Sequence, residues 1–268
     1  MVLLQAVLLG VVQGLTEFLP VSSSAHLILA RAFFGFDAER FGLAFDVACH
    51  AGTLAAILAY FRRDLLEMVR AVPRAGFPAA GDVPARLIWL VGVGTIPAVI
   101  AGGLAGDAID AVRSPVVIAV TLGVGGLLMV LAERIGRQTR GDDTLTLGEA
   151  LAIGVAQACA LVPGVSRSGA TITLGLVLGL RREAAAHFSF LLSVPVMVAA
   201  SGLEAIKLAG EPMDALTVRL FAAGMLASGI VGYLTIRFFL RYLAVNTLGV
   251  FAGYRIALAA ATCVWLLF

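Results

Sequence analysis

Charged side chains are scarce in this sequence. Asp, Glu, Lys and Arg together make up 13% of its 268 residues, whereas hydrophobic residues make up 60%. The mean hydropathy of +1.01 is far above that of a soluble domain, so the composition excludes a soluble globular protein and predicts an integral membrane protein. The formal net charge of +2 is nearly neutral and does not indicate an acidic partner; we expect no nucleic acid among the partners.

Cysteine is also scarce, with three residues, Cys49, Cys159 and Cys263. Each lies inside an apolar run, and no CxxC or metal-ligand spacing connects them, which argues against a redox centre or a cysteine-bound metal. We expect all three to be small residues buried in the membrane. Basic residues are absent before Arg31, whereas a cleaved signal peptide begins with positive charge, so we expect the N-terminal region to belong to the mature structure.

Long apolar runs, by contrast, are abundant. A helix that crosses ~30 Å of hydrocarbon needs about 20 predominantly apolar residues. The sequence therefore predicts an all-α fold with six transmembrane helices. They are expected at residues 43–61, 87–106, 115–132, 186–206, 218–236 and 248–268.

Two further apolar regions are interrupted in the middle. In the first, "TEFLPVSSSAH" separates "MVLLQAVLLGVVQGL" from "LILARAFFGF". In the second, "PGVSRSGA" separates "ALAIGVAQACALV" from "TITLGLVLGL". Each half is too short to span the membrane, and irregular backbone at membrane depth is tolerated only where protein or a water-filled cavity satisfies it. We therefore predict two re-entrant helical hairpins, each entering and leaving the membrane on one side.

The two interrupted regions resemble each other. The stretch "GVVQGLTEFLPVSSSA" aligns without a gap with "GVAQACALVPGVSRSG", so that Gly10 matches Gly154 and Ser22 matches Ser166. We predict a single membrane domain over residues 1–268, built from one repeat at about 1–140 and a second at about 145–268. Because each repeat holds one hairpin and three spans, an odd number, the second repeat is expected to have inverted topology.

Arginines are distributed unevenly over the loops of this topology. Twelve fall on one face, whereas the opposite face carries five basic residues. By the positive-inside rule the twelve face the cytoplasm. We therefore expect a multi-pass membrane protein whose first hairpin, with its polar site, opens to the outside. The twelve are Arg62, Arg63, Arg70, Arg74, Arg86, Arg134, Arg137, Arg140, Arg181, Arg182, Arg237 and Arg241.

The two breaks carry side chains suited to phosphate chemistry. In the first, Glu17, Ser23 and His26 supply an acid or base, a nucleophile and an imidazole within ten residues. In the second, the Arg167 guanidinium can donate paired hydrogen bonds to a phosphate at a helix N-terminus. Since an inverted repeat brings the breaks together, we predict hydrolysis of a phosphoryl group on a membrane-resident substrate. Further hydroxyl groups expected around the phosphate are those of Ser22, Ser166, Ser168 and Thr171.

Three polar residues of the predicted spans allow more than one interpretation. Asp46 and His50 lie one helical turn apart in the first span, and they either face the site or form a hydrogen bond in helix packing. Arg255, in the last span, is interpreted as neutralising Asp46 or Glu204. An ionisable residue inside a membrane segment is costly and is by default functional, whereas a membrane serine commonly bonds backbone or a neighbouring helix.

The two interrupted motifs resemble those of a known family. "QGLTEFLPVSSSAH" and "PGVSRSGATI" are similar to the two signature stretches of the undecaprenyl-diphosphate phosphatases of the bacitracin-resistance type. The resemblance runs along essentially the whole chain and includes "FDVACHAGT" and "FSFLLSVP". It implies hydrolysis of undecaprenyl (polyprenyl) diphosphate to the monophosphate and inorganic phosphate, which recycles the carrier lipid for peptidoglycan synthesis. It also implies a divalent metal cofactor, Mg²⁺ or Ca²⁺.

The resemblance implies roles for individual residues. Glu17, Ser23 and His26 are the implied catalytic residues, Arg167 the phosphate-binding residue, and Glu17 with Gln13 the metal ligands. Gln13 stands where the family motif has its first acidic position, and a neutral amide can position water or metal but cannot act as a carboxylate base. The main acid–base role therefore shifts to Glu17. Whether Ser23, His26 or water attacks is left open, with Ser23 favoured.

Broken helices in inverted repeats are also found in transporters. The alternative function is therefore a transporter or flippase that moves a phosphorylated lipid carrier without breaking a bond. A transporter would not need Glu, Ser and His together opposite an Arg, which favours the enzyme, and in a membrane scaffold the polar cluster would have no reason to converge. The expected partners are the polyprenyl diphosphate lipid and the membrane, and a homodimer is left open.

Overall fold

The fold was analysed in a computed structural model that describes residues 1–37, 40–74, 82–208 and 213–267, with the side chains of all but 74, 105–110, 204 and 208 among them. These residues are predominantly helical, and no β-sheet forms within the described ranges. The α-helices are α1 (Val2–Phe18), α2 (Ser23–Phe34), α3 (Leu43–Tyr60), α4 (Arg62–Ala71), α5 (Val83–Ala111), α6 (Pro115–Ile135), α7 (Leu147–Cys159), α8 (Arg167–Val177), α9 (Arg182–Leu208), α10 (Ala215–Leu243) and α11 (Gly249–Leu267).

Six helices in the described part of the chain, α3, α5, α6, α9, α10 and α11, are long and apolar enough to cross a membrane. Each of the six predicted spans coincides with one of these helices, and most of the helices run a few residues beyond the predicted ends. In α10, for example, the Asp214 carboxylate accepts a 2.7 Å hydrogen bond from the Thr217 N–H and so starts the helix before its apolar stretch. The bundle exposes large apolar side chains such as Leu127 and Ile230 on its outside, as expected of a multi-pass membrane protein.

Four of the five shorter helices described form two pairs, α1 with α2 and α7 with α8. With 17 and 13 residues, α1 and α7 are only ~25 Å and ~20 Å long, less than the ~30 Å of a hydrocarbon core. Both breaks occur where the sequence predicts them. In each, a serine with positive φ caps the following helix: Ser22 (φ 74°) accepts from the Ala25 N–H, and Ser166 (φ 70°) accepts from the Gly169 N–H.

Close glycine contacts hold the first helix of each pair in the bundle. The α1 helix packs on α10, where a Cβ added to Gly10 would collide with the backbone of Gly224. The α7 helix packs on α5, where a Cβ added to Gly154 would collide with the backbone of Gly94. Because glycine has no side chain, these helix backbones can approach each other directly.

The central core lies behind the first break. Phe18, the last residue of α1, is fully buried and packs edge-on against Phe190 of α9, with ring centroids 5.6 Å apart. Phe61 and Phe239 pack around the same ring of Phe190. Offset and edge-on aromatic packing of this kind adds to the stabilisation from buried area, so the end of α1, and with it Glu17, is held against α9.

A loop on the other side of the bundle holds the second pair in place. Thr146 and Glu149 form a reciprocal capping box at the start of α7. The Arg140 guanidinium donates to the Glu149 carboxylate at 2.7 Å and to the Leu178 carbonyl at 2.9 Å. The hydrogen bond from Arg140 lowers the pKa of Glu149 to about 2, so this carboxylate stays ionised and ties the start of α7 to the end of α8.

Cys49 is buried within the protein, whereas Cys159 and Cys263 are exposed on the outside of the bundle, and the burial of these two in the membrane stays a prediction. One of the expectations requires correction. Asp46 does not neutralise Arg255; it pairs with Arg31, across the contact between α2 and α3. The side chain of Glu204, the other acid considered for Arg255, lies outside the described residues.

Candidate active site

Direct contacts join the two breaks. The Ser168 hydroxyl of the second break donates to the Leu19 carbonyl of the first at 3.0 Å. The backbone N–H of Gly164 lies 3.5 Å from the Ser24 hydroxyl, which accepts from it. The predicted meeting of the breaks is therefore confirmed, although their residues are far apart in the sequence.

Glu17 lies where the two breaks meet and accepts hydrogen bonds from three segments. Its Oε2 accepts from the Ser23 hydroxyl at 2.6 Å and from the Gln13 side-chain amide at 2.8 Å. Its Oε1 accepts from Nη2 of Arg167 at 2.8 Å, an ion pair between the two breaks. The Glu17 side chain is 7% exposed and that of Arg167 15%, so this ion pair is largely shielded from solvent. Hydrogen bonds from Ser23 and Gln13 also hold the Glu17 carboxylate in place.

A cavity of about 310 Å³ opens onto this cluster. Polar side chains from both breaks form part of its wall, while the rest is mainly apolar and comes from α3, α9 and the residues just after α7. A wall of this kind suits a ligand with an anionic head and a hydrocarbon tail. The polar lining residues are Glu17, Ser22, Ser23, Ser24, His50, Arg113, Ser166, Arg167 and Ser201; the apolar ones include Leu43, Val47, Leu161, Val196 and Met197.

Both helices that follow the breaks begin at this cavity. The caps Ser22 and Ser166, and the first helical residues Ser23 and Arg167, all line it. The first N–H groups of a helix have no partner within the helix, and together with the helix dipole they favour an anion. Two such helix starts around one cavity, with an arginine at one of them, form a suitable site for a phosphate.

Comparison with known proteins supports the same chemistry. The model of the family described as "Bacitracin resistance protein BacA" matches residues 6–261. The chain belongs to this family. A protein of Rubrobacter xylanophilus named "Undecaprenyl-diphosphatase" is 53% identical over 99% of this chain and 98% of its own length. "Undecaprenyl-diphosphatase 2" of Stutzerimonas stutzeri is 48% identical over 98% and 97% of the two chains, and the "Undecaprenyl-diphosphatase" of Moorella thermoacetica 46% over 97% and 96%.

Five of the site residues predicted for this BacA-family chain line the cavity: Glu17, Ser22, Ser23, Ser166 and Arg167. The other four, Gln13, His26, Ser168 and Thr171, are not among the residues that line it. Gln13 lies behind Glu17 and is fully buried. Ser168 and Thr171 face the protein interior, where Thr171 bonds the Ser189 hydroxyl at 2.6 Å and the Arg167 carbonyl at 2.8 Å. Their hydroxyl groups fix α8 against the first break and against α9.

His26 points away from the carboxylate. One ring nitrogen, Nδ1, lies 2.7 Å from the Ser22 carbonyl and so donates to it, which leaves Nε2 facing the Tyr254 hydroxyl at 2.6 Å. The His26 and Tyr254 rings are stacked with centroids 5.6 Å apart. Because α2 begins at Ser23, His26 lies about one turn along the helix and faces α11 rather than the cavity.

His50 occupies the place expected for His26. Its Nδ1 donates to the Asp46 carbonyl at 2.8 Å, and its Nε2 lies 3.5 Å from Oε2 of Glu17. The spacing of Asp46 and His50 in the sequence was compatible with this position and equally with helix packing. Arg113, between α5 and α6, also lines the cavity, and no motif in the sequence distinguished it from other arginines.

A divalent metal fits the donors present, provided that the substrate supplies further ligands. Among the described residues, no three His, Cys, Asp or Glu side chains form a cluster that could hold a metal ion. Glu17 offers a carboxylate, and the side-chain oxygen of Gln13 is buried without a hydrogen-bond partner. Mg²⁺ is commonly bound by one or two carboxylates together with substrate phosphates and water, and the Glu17 carboxylate, which lines the cavity, meets that requirement.

Proposed function

We propose that this chain hydrolyses undecaprenyl diphosphate to undecaprenyl monophosphate and inorganic phosphate, the activity named in its BacA-family relatives. One observation carries the proposal: the Ser23 hydroxyl donates to Glu17 at 2.6 Å, while the other oxygen of Glu17 accepts from Arg167 at 2.8 Å. A nucleophile and a phosphate-binding guanidinium thus both contact one carboxylate, and this carboxylate can act as the base. The mainly apolar remainder of the cavity wall suits the polyprenyl chain.

The geometry suggests the following reaction. Arg167 and the N–H groups at the starts of α2 and α8 bind the terminal phosphate. Ser23 Oγ attacks the terminal phosphorus and passes its proton to Glu17, and the bond to the bridging oxygen breaks. Glu17 passes this proton to the departing lipid monophosphate. Glu17 then accepts a proton from the water that attacks the phosphoseryl phosphorus and passes this proton to Ser23 Oγ as the bond between that oxygen and phosphorus breaks. Inorganic phosphate is released and the Ser23 hydroxyl is restored.

Glu17 and Gln13 are the residues that would hold a divalent metal, Mg²⁺ or Ca²⁺. When bound there, the ion would offset negative charge on the diphosphate. The protein side chains carry out the other steps: they hold the reacting groups in place, Glu17 accepts the proton, and Arg167 donates hydrogen bonds to the phosphate.

Phosphate release by the purified protein tests this function. Protein in detergent is given a polyprenyl diphosphate, and inorganic phosphate is measured with Mg²⁺, with Ca²⁺ and with a chelator. We expect release that depends on the added metal. The alternative, a transporter or flippase, predicts transfer of the lipid between the leaflets of liposomes with no phosphate released, and that result would refute the proposal.

A comparison of two histidine variants tests the position of His50. His50 and His26 both donate from Nδ1 to the carbonyl four residues earlier, so His50→Gln and His26→Gln disturb their own helices similarly. Since only His50 faces Glu17, we expect His50→Gln to lower kcat by about 10-fold or more and His26→Gln to lower it less. Initial rates of phosphate release are measured for both variants. If His26→Gln loses more activity than His50→Gln, His26 rather than His50 is the catalytic histidine.

We also propose that the fold is an inverted-topology repeat in which α1–α2 and α7–α8 are re-entrant hairpins. The matched serines Ser22 and Ser166 support this, because they share a positive φ and the same capping hydrogen bond. The matched glycines Gly10 and Gly154 support it as well, since each meets a glycine in the other repeat. Such a repeat puts a site where the broken helices meet, and Glu17 contacts Arg167 at that place.

In this arrangement we place the twelve arginines in the cytoplasm and the mouth of the cavity at the outer face of the bacterial cytoplasmic membrane. The carrier lipid would then be dephosphorylated where its diphosphate is released. In a variant with Cys49, Cys159 and Cys263 replaced, we expect Ser23→Cys to react with a membrane-impermeant thiol reagent in intact cells and an added diphosphate to slow the reaction. Arg237→Cys, exposed on α10, should react only in inside-out vesicles, and the opposite pattern would invert the topology.

A further inference from the structure

Arg255 of α11 is a fully buried cation whose described hydrogen bonds all go to backbone carbonyls. Nη1 donates to Pro20 at 3.2 Å in the first break. Nη2 donates to Gly164 at 3.1 Å and to Val165 at 3.0 Å in the second break. Two further bonds reach α6, from Nη2 to Thr121 at 3.1 Å and from Nε to Leu122 at 3.4 Å. One guanidinium therefore joins both breaks and a spanning helix.

The chemistry of a broken helix explains why an arginine occupies this place. A break leaves carbonyl oxygens without helical partners, and inside a membrane protein they need donors from elsewhere. A guanidinium offers five N–H groups in a rigid plane, more than any other side chain. A buried charge is costly in a membrane, so its presence here indicates a function that a neutral residue would not fulfil.

The surrounding sequence leaves a slot for this group. A Cβ added to Gly125 of α6 would overlap Nη2 of Arg255, and one added to Gly169 of α8 would lie 2.9 Å from Nη1. Gly123, two residues earlier on α6, differs: a Cβ there would meet only Ala259, at an ordinary 3.6 Å. On α6, the guanidinium of Arg255 therefore needs the space left by Gly125 but not the space left by Gly123.

We infer that Arg255 is a positioning residue that pins the two breaks together so that their caps, Ser22 and Ser166, face one phosphate. Of the carbonyls it binds in the breaks, that of Pro20 lies two residues before Ser22, and those of Gly164 and Val165 directly precede Ser166. Arg255 is not among the residues that line the cavity at Glu17; it lines a separate, largely apolar cavity of about 340 Å³ beside α8. It acts through the backbone, and the inference rests on the phosphate site proposed above.

Three variants and a matched control test this role. Arg255→Lys keeps the charge but loses the planar fork, Arg255→Met removes both, and Gly125→Ala displaces the guanidinium without changing it. Since charge-assisted hydrogen bonds are lost in each, we expect kcat for phosphate release to fall by about 10-fold or more, with little change in KM. Gly123→Ala should retain wild-type kcat. The melting temperature and the folded fraction on size exclusion are measured for every protein.

A purely structural role predicts a different result. In that case the variants lose melting temperature or folded fraction, but kcat per folded molecule stays within about twofold of wild type; that result overturns the inference. It also fails if Gly125→Ala is fully active, or if no variant of Arg255 folds. Arg167→Ala separates the two proposals: if it is inactive while the Arg255 variants are normal, only this inference fails, and if it is active, the phosphate site itself is wrong.

Discussion

Purified Ser23→Ala protein is expected to release phosphate from a polyprenyl diphosphate at least about 10³-fold more slowly than wild type, as when the nucleophile of a hydrolase is removed. The expectation follows from the 2.6 Å hydrogen bond between the Ser23 hydroxyl and Glu17, which places the nucleophile against its base. Alanine removes only the hydroxyl at the start of α2, and Ser22 still caps this helix. The loss should therefore appear in kcat, without a matching loss of melting temperature.

Ser201→Ala is the matched control. Ser201 lines the same cavity, but its hydroxyl is buried without a hydrogen-bond partner in the structure, so its removal should leave the rate close to that of wild type. A phosphoseryl intermediate, trapped by acid quenching with a substrate labelled on the terminal phosphate, should form on wild type and not on Ser23→Ala. A Ser23→Ala protein with more than about a tenth of wild-type activity would show that water or a histidine attacks directly.

Much of the fold follows from composition and spacing. The six spans are predicted because each apolar run is long enough to satisfy its own backbone and bury its side chains in lipid. The two breaks are predicted because Pro20 and Pro163, with the nearby serines, interrupt runs that are otherwise helical. The amphipathic α4 was not predicted, since a short charged segment such as Arg62–Ala71 is helical mainly through packing, which a local pattern does not report.

The sequence predicted those site residues whose side-chain chemistry alone indicates a role. Glu17, Ser23 and Arg167 together supply a base, a nucleophile and a phosphate ligand within the two breaks. Which face of α2 and α8 meets the cavity depends on the backbone at Ser22 and Ser166, whose positive φ sets the direction of each helix. For this reason the sequence did not indicate that His26, Ser168 and Thr171 would lie away from the cavity wall.

Long-range packing accounts for the rest. His50 reaches Glu17 because α3 packs beside the end of α1, a contact that no local pattern encodes. Arg255 was expected to neutralise an acid, because a buried arginine is most often paired with a carboxylate. Its partners are carbonyl oxygens freed by the two breaks, and that solution is available only where broken helices converge.

Glu17→Gln is expected to lower the rate of phosphate release by about 10²- to 10⁴-fold, the range typical of a lost general base. A glutamine has one acceptor oxygen, whereas Glu17 accepts from Ser23 and Gln13 at Oε2 and from Arg167 at Oε1. Its amide group must therefore face a donor on one side. The variant loses both the base and the orientation of either the nucleophile or the guanidinium.

Loss of the ion pair also lowers stability, so the rate must be separated from folding. Glu133→Gln is the matched control, because Glu133 is a shielded carboxylate that pairs with Arg182 at 2.6 Å and is not among the residues that line the cavity. Both variants leave an arginine without its partner and should lower the melting temperature, but only Glu17→Gln should lose activity per folded molecule. If the two variants keep the same activity per folded molecule, Glu17 serves the fold alone. The proton from Ser23 must then pass to another base at the cavity, and His50, whose Nε2 lies 3.5 Å from Oε2 of Glu17, is the base that faces this carboxylate.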